Sequence, residues 1–141
     1  QRQYPLRPEA QQGLQKIKDL KAQGLVKPCN SPCNPPILGV QEPNGQCMLV
    51  QDLRIISEAV VPLYPAVPNP YTLLSQIPEE AEWLTVLDLK DAFFCLPVHP
   101  DSQCLFAFED PSNPTSQLTW TVLPQGFRDS PQLFGQELAQ D

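Results

Sequence analysis

The sequence predicts an α+β fold. Three observations point there: an amphipathic stretch opens the chain, an Asn-Gly turn separates two apolar runs, and β-rich runs followed by a capped helix close it. The 18 prolines are spread along 141 residues, so they punctuate short elements rather than form one linker.

The elements follow in order. Pro8 to Gly24 reads as a helix, with Pro8 in the first turn, Leu14, Ile17 and Leu20 on one face, and Gly24 as the stop. Lys16, Lys18 and Lys21 lie off that stripe, toward solvent. Residues 28–36, PCNSPCNPP, read as a turn-rich connector without regular structure. Ile37–Val40 and Cys47–Val50 flank Glu42-Pro43-Asn44-Gly45 and read as a hairpin. Leu63 to Tyr71 reads as an extended connector, and Thr72 as the cap of a short helix through Gln76. Trp83 to Leu87 reads as a buried strand, and Lys90 to Cys95 as a helical turn stopped before Pro97. Leu105–Phe108 and Leu118–Val122 read as strands around a turn segment, Asp110 to Ser116. Ser130-Pro131 caps a last helix with Leu133, Phe134 and Leu138 on one face.

Composition excludes several classes. Hydrophobic residues make up 41% and charged residues 18%, which excludes a disordered tail or a collagen-like repeat. No apolar run approaches the roughly 18 to 20 residues of a membrane span. The start, Gln1 to Pro8, has neither a signal-peptide pattern nor a Met, which suggests a piece of something longer. Net charge is −7, but it is divided: residues 1–40 carry six basic side chains against two acidic, and residues 41–141 carry three against fourteen. A basic front and an acidic rear suit a polyanion at one end and a cation at the other; two solvated faces are the blander reading. Five cysteines with a single His and no CxxC pair argue against a zinc site and for free thiols.

Two stretches carry candidate chemistry. In TVLDLKDAFF an apolar run delivers Asp88, and Asp91 follows one turn later. If the chain turns helically after Leu89, both carboxylates face one point, as a hard divalent ion requires. By spacing alone, a strand ending in a helix cap is the simpler reading. In TVLPQGFRDSP, Gln125 stands between Pro124 and Gly126 in a turn before a helix, where its amide can touch a ligand; a plain loop is the alternative.

Together, VLDLKDAFF and LTWTVLPQGFRDSP resemble two signature blocks of retroviral reverse transcriptases. QYPLRPEAQQGLQ, LVKPCNSPCNPPIL, LVQDLR and VPNPYTLLSQIP resemble the same family in the same order. The resemblance covers essentially the whole chain and is to the gammaretrovirus-like group, including class I endogenous retroviral Pol proteins. It implies the fingers and partial palm of a right-hand polymerase fold, with fingers at about residues 1–63 and 96–126 and palm portions at about 64–95 and 127–141. It implies a fragment of an RNA-directed DNA polymerase, inactive in isolation, with a non-enzymatic relic as the alternative.

The resemblance also implies roles. Asp88 would be the first catalytic carboxylate and a Mg²⁺ ligand, with the Leu89 carbonyl beside it on the nucleotide-side metal. Asp91 would lie near the incoming triphosphate, and Phe93 would sit under the sugar and exclude a 2′-hydroxyl. Gln125 would contact the nucleotide. The implied chemistry is two-metal nucleotidyl transfer. Implied partners are an RNA or DNA template-primer, deoxynucleoside triphosphates and the remainder of the Pol polyprotein, with no membrane; the implied location of the parent is cytoplasmic or virion-associated.

Three departures stand out. The YxDD block, with the family's other two catalytic aspartates, does not occur in these 141 residues. Glu42 and Met48 stand where the fingertip hairpin normally presents a Lys and an Arg, and Cys47 replaces an aromatic residue. A carboxylate repels a triphosphate, and Met offers it no charge-assisted hydrogen bond. Leu84–Asp88 is expected in a sheet, with Val86 to Asp88 on an exposed edge or poorly covered.

Overall fold

Helix α1 (Gln11–Ala22) turns Ile17 and Leu20 inward and leaves Lys16, Lys18 and Lys21 outward. It ends where expected: Gly24 takes a left-handed φ of 73°, and the Gly24 and Leu25 amides bond back to the Lys21 and Leu20 carbonyls. In this computed structural model the described residues are 2–6, 11–41, 43, 45, 47–64 and 69–140. Pro8, Glu42 and Asn44 fall outside them, as does the Cys47 side chain, so the expectations resting on those groups do too.

A three-stranded antiparallel sheet in the order β1-β5-β4 forms from β1 (Val26–Cys29), β4 (Phe108–Asp110) and β5 (Asn113–Trp120). β1 corrects the reading of residues 28–36 as wholly irregular, since Pro28 and Cys29 pair with Leu118 and Gln117. The sheet accepts Pro28 because β1 is an edge strand, where a missing N–H can face outward. β4 begins only at Phe108, because residues 104–106 form a 3-10 turn. β5 begins at Asn113, so the turn is shorter than residues 110–116. The connector after β1 is organised by Gln117: its amide donates to the Cys33 carbonyl (3.0 Å) and accepts from the Ser31 N–H (2.9 Å).

The expected hairpin strands are present as β2 (Ile37–Gln41) and β3 (Cys47–Gln51), in register from Ile37 opposite Gln51 to Gln41 opposite Cys47. Gln51 then ties it to the sheet. Its buried Nε2 donates to the Phe106 (3.0 Å) and Ala107 (3.3 Å) carbonyls, and its Oε1 accepts from Trp120 Nε1 (3.0 Å). At the other end, the Gln3 side chain pairs with both the N–H and the C=O of Ile37.

Two apolar clusters result. One gathers Ile17, Leu20, Val26, Ile37, Phe108 and Leu118 between α1, the hairpin and the sheet. The other gathers Leu53, Ile56, Phe106, Leu123 and Phe127 around α2 (Arg54–Ala59) and α5 (Ser130–Leu138), with Leu133 against it. Trp120 packs on both. Helix α3 (Pro70–Ser75) is capped by Asn69, whose Oδ1 accepts from the Tyr71 N–H, rather than by Thr72; Pro70 then fills the first turn, where no amide is missed. Helix α4 (Pro100–Gln103) precedes the 104–106 turn.

The expected strand at Trp83–Leu87 is not formed. Residues 81–89 form no regular element and have no strand partner among the described residues, and Trp83 and Val86 are 89% and 91% exposed. Apolar β-prone residues specify an extended chain, but a strand's hydrogen bonds come from a neighbour, and no described strand lies beside this one. The expectation of poor cover holds; that of membership in a sheet does not.

Candidate functional site

Asp91 and Gln125 stand 34 residues apart, and the two signature blocks that hold them meet through short backbone pairing. Val98 N–H bonds to the Thr121 carbonyl (2.9 Å) and Leu123 N–H to the Leu96 carbonyl (2.8 Å), around a bridge between Pro97 and Val122. That pairing brings the end of LDLKDAFF beside the start of LPQGF.

On the first side, Asp91 has a left-handed backbone, φ 54° and ψ 33°, and opens the 3-10 turn Ala92–Cys95. Aspartate tolerates this region better than most residues, and such conformations concentrate at functional sites. The Asp91 carbonyl accepts from the Phe94 N–H at 2.9 Å. The turn then splits its aromatic pair. Phe93 meets Phe134 of α5 edge-on at 5.9 Å, while Phe94 stacks on Trp120 at 5.4 Å. Phe94 is thus a packing residue.

On the second side, Pro124 is buried and its carbonyl accepts from the Ser130 hydroxyl at 2.9 Å. Gly126 turns the chain at φ 89°, a value that favours glycine. Phe127 anchors the turn in the second cluster. Gln125 is left exposed at the tip, and its Nε2 donates to Asp91 Oδ1 at 3.3 Å. Arg128 braces the base: its guanidinium binds Asp129 (2.9 Å) and the Val60 carbonyl (3.2 Å), and the Arg128 hydrogen bond holds the Asp129 carboxyl below its ordinary range.

The structure therefore brings Asp91 and Gln125 together, with Phe93 on the turn that Asp91 opens. It does not draw Asp88 or Leu89 into the same arrangement. Both lie in the exposed stretch, and Asp88 makes no hydrogen bond or ion pair among the described residues. Among the described residues no group of three or more His, Cys, Asp or Glu side chains is gathered as metal ligands. With Asp88 unsupported and Asp91 engaged by an amide, these residues do not make up a Mg²⁺ site by themselves.

On the hairpin, Met48 is half-buried, stands opposite Val40 and lines a cavity with Leu49 and Val50. Arg54 forms an exposed ion pair with Asp52 (2.6 Å), and this hydrogen bond holds the Asp52 carboxyl low. Sequence reasoning missed Gln51. Its neighbours Val50 and Asp52 give no hint, because its partner Trp120 is 69 residues away.

An α+β arrangement of hairpin, small sheet and crossing helices, with these two motifs clasped at its end, is the fingers-and-palm portion of a polymerase fold. Residues 42–140 match the family described as reverse transcriptase (RNA-dependent DNA polymerase), and the chain belongs to that family, whose members generally use divalent metal ions. It is 53% identical over 145 residues to the Gag-Pol polyprotein of feline leukemia virus, covering 99% of this chain and 8% of that polyprotein. It is also 53% identical over 148 residues to the Gag-Pol polyprotein of gibbon ape leukemia virus, covering 99% and 9%. The chain thus spans less than a tenth of the curated relatives it matches. Among solved structures it resembles the prototype foamy virus protease-reverse transcriptase, with a TM-score of 0.83, 36% identity, and coverage of 99% of this chain and 18% of that one. The foamy viral protease-reverse transcriptase solved in complex with RNA/DNA hybrid matches with a TM-score of 0.76 and 31% identity, covering 99% and 18%. No described helix is long and apolar enough to cross a membrane.

Proposed function

We propose that this chain is the fingers and opening palm of an RNA-directed DNA polymerase of a retroviral or endogenous retroviral Pol polyprotein. The observation that carries the reading is the Asp91–Gln125 clasp, which joins the two signature blocks at one exposed point. Fingers at about residues 1–63 and 96–126, with palm at about 64–95 and 127–141, fit this reading. The substrates are an RNA or DNA template-primer and deoxynucleoside triphosphates, and the protein partner is the remainder of Pol. Gln125 contacts the incoming nucleotide, Asp91 lies near its triphosphate, and Phe93 bars a 2′-hydroxyl. Asp88 and the Leu89 carbonyl contribute to a Mg²⁺ site whose other carboxylates come from outside these 141 residues.

On this reading the 141 residues alone do not extend a primer, since they supply one of three metal-binding carboxylates. A second reading, a relic without catalysis, is favoured by Met48 and Glu42 in the places of an Arg and a Lys. Primer extension separates the two readings. The chain alone should give no product, and a fusion to a family palm carrying YxDD should give product that Asp88→Asn abolishes. If the fusion is silent until Glu42→Lys and Met48→Arg are added, the relic reading stands. Extension by the unfused chain, lost in Asp88→Asn, would sink the incomplete-site argument.

A further inference from the structure

The three-stranded sheet draws two free cysteines together. Cys29 ends β1 directly opposite Gln117 of β5, and cross-strand partners project from the same face. Thr119 stands two residues further along β5 and shares that face. Its hydroxyl donates to the Gln103 carbonyl, which lays the 104–106 turn over the side of the sheet that carries Cys29. A second tie comes from the connector after β1, where the Ser31 hydroxyl donates to the Cys104 carbonyl at 2.7 Å. Cys104 is therefore fixed beside the end of β1 by two bonds from distant parts of the chain.

Both thiols are accessible: Cys29 is half-buried and Cys104 exposed. The Cys104 thiol makes a long bond to the Asp101 carbonyl, at 3.6 Å, which costs little to give up. Burial pushes the Cys29 thiol up, a negative charge on Cys104 pushes it further, and Lys27 opposes both. Charge on one sulfur is thus felt at the other. Cys33 belongs to the irregular connector instead, with its N–H on the Ser31 hydroxyl and its carbonyl on the Gln117 amide, both at 3.0 Å.

We infer that Cys29 and Cys104 form a reversible redox pair, which a small-molecule disulfide such as oxidised glutathione closes into an intramolecular disulfide bond. The exposed Cys104 thiolate attacks one sulfur of the reagent, whose S–S bond breaks. A mixed disulfide forms and one glutathione leaves as a thiolate. The Cys29 thiolate then attacks the Cys104 sulfur and expels the second glutathione. Both thiol protons end on the released glutathione molecules, so the chain loses two electrons and the reagent gains them. The new bond staples the end of an edge strand to the turn that leads into β4. Exposed disulfides are the more reducible ones, so reduced glutathione reopens it.

The test is incubation of the folded chain with oxidised glutathione at about pH 8, where thiolates are populated, followed by alkylation in urea and tandem mass spectrometry. The reduced chain should take up label at all five cysteines, and the oxidised chain at all but Cys29 and Cys104, which should be linked. Cys33→Ser should form the same link, whereas Cys29→Ser and Cys104→Ser should not. Closure should raise the thermal midpoint by about 5 °C or more, and reduced glutathione should return it. Oxidation in concentrated urea, by contrast, should scatter links among the cysteines. The same scatter from the folded chain, no link at all, a principal link from Cys104 to Cys33 or Cys95, or closure that lowers the midpoint would overturn the pair.

Discussion

β5 and residues 83–89 are both rich in β-prone residues, yet they end in opposite states. β5 sits between β1 and β4, with Leu118 1% exposed and Trp120 fixed by Gln51. Residues 83–89 have equal claim to extended structure, but Trp83, Val86 and Leu87 lie in solvent. The difference teaches that apolar β-prone sequence sets an intrinsic tendency, whereas neighbouring strands decide whether it becomes a sheet.

That contrast can be broken by substitution. Leu118→Ala should cost roughly 2–5 kcal/mol in urea unfolding, because it empties part of the first cluster. Val86→Ala, by contrast, should fall within about 0.5 kcal/mol. Comparable losses at both positions would mean that residues 83–89 are covered in solution. Gln51→Leu is the intermediate case, at about 1–3 kcal/mol, since it strands the Trp120 N–H and two carbonyls.

Acid should weaken the β5 side through Asp110. Burial pushes the Asp110 carboxyl up, but bonds from Ser112 and then Lys21 outweigh it and leave it below its ordinary value. A depressed folded value means stability that is present above the unfolded carboxyl value of about 3.9 and lost as pH falls through the lower folded value. Urea midpoints should therefore drop below about pH 4, and less steeply in Asp110→Asn. Parallel slopes for the two proteins would remove Asp110 from the account. The smallest signal is local: amides 84–88 should exchange at nearly intrinsic rates while those of Leu118–Trp120 are strongly protected. Equal protection would contradict the open state of residues 83–89.

Where the determinants are local, the sequence was readable. Gly24 ended α1, the apolar runs at 37–40 and 47–50 paired as the hairpin, and Pro131 marked the start of the last helix. The clasp was half readable: both motifs announced themselves, but their meeting depends on the Leu96–Leu123 and Val98–Thr121 backbone bonds, which no local pattern encodes. Trp83–Leu87 was misread because its apolar, β-prone composition is that of a buried strand, and composition says nothing about a partner. β1 was partly hidden by Pro28, which forbids a central strand but not an edge. Convergence of Asp88 and Asp91 was conditional on a helical turn after Leu89, and spacing alone favoured a strand ending in a cap; the backbone turns left-handed at Asp91.

The two tryptophans also make the chain an optical instrument. Trp83 stands 89% exposed, while Trp120 is stacked on Phe94 with its indole N–H bound to Gln51. Emission from Trp83 should lie to the red and be quenched first by acrylamide; that from Trp120 should lie to the blue and resist. Unfolding reddens only the second component, whereas a strand laid along residues 83–89 blue-shifts only the first. One fluorescence spectrum can therefore distinguish loss of the core from acquisition of a neighbour.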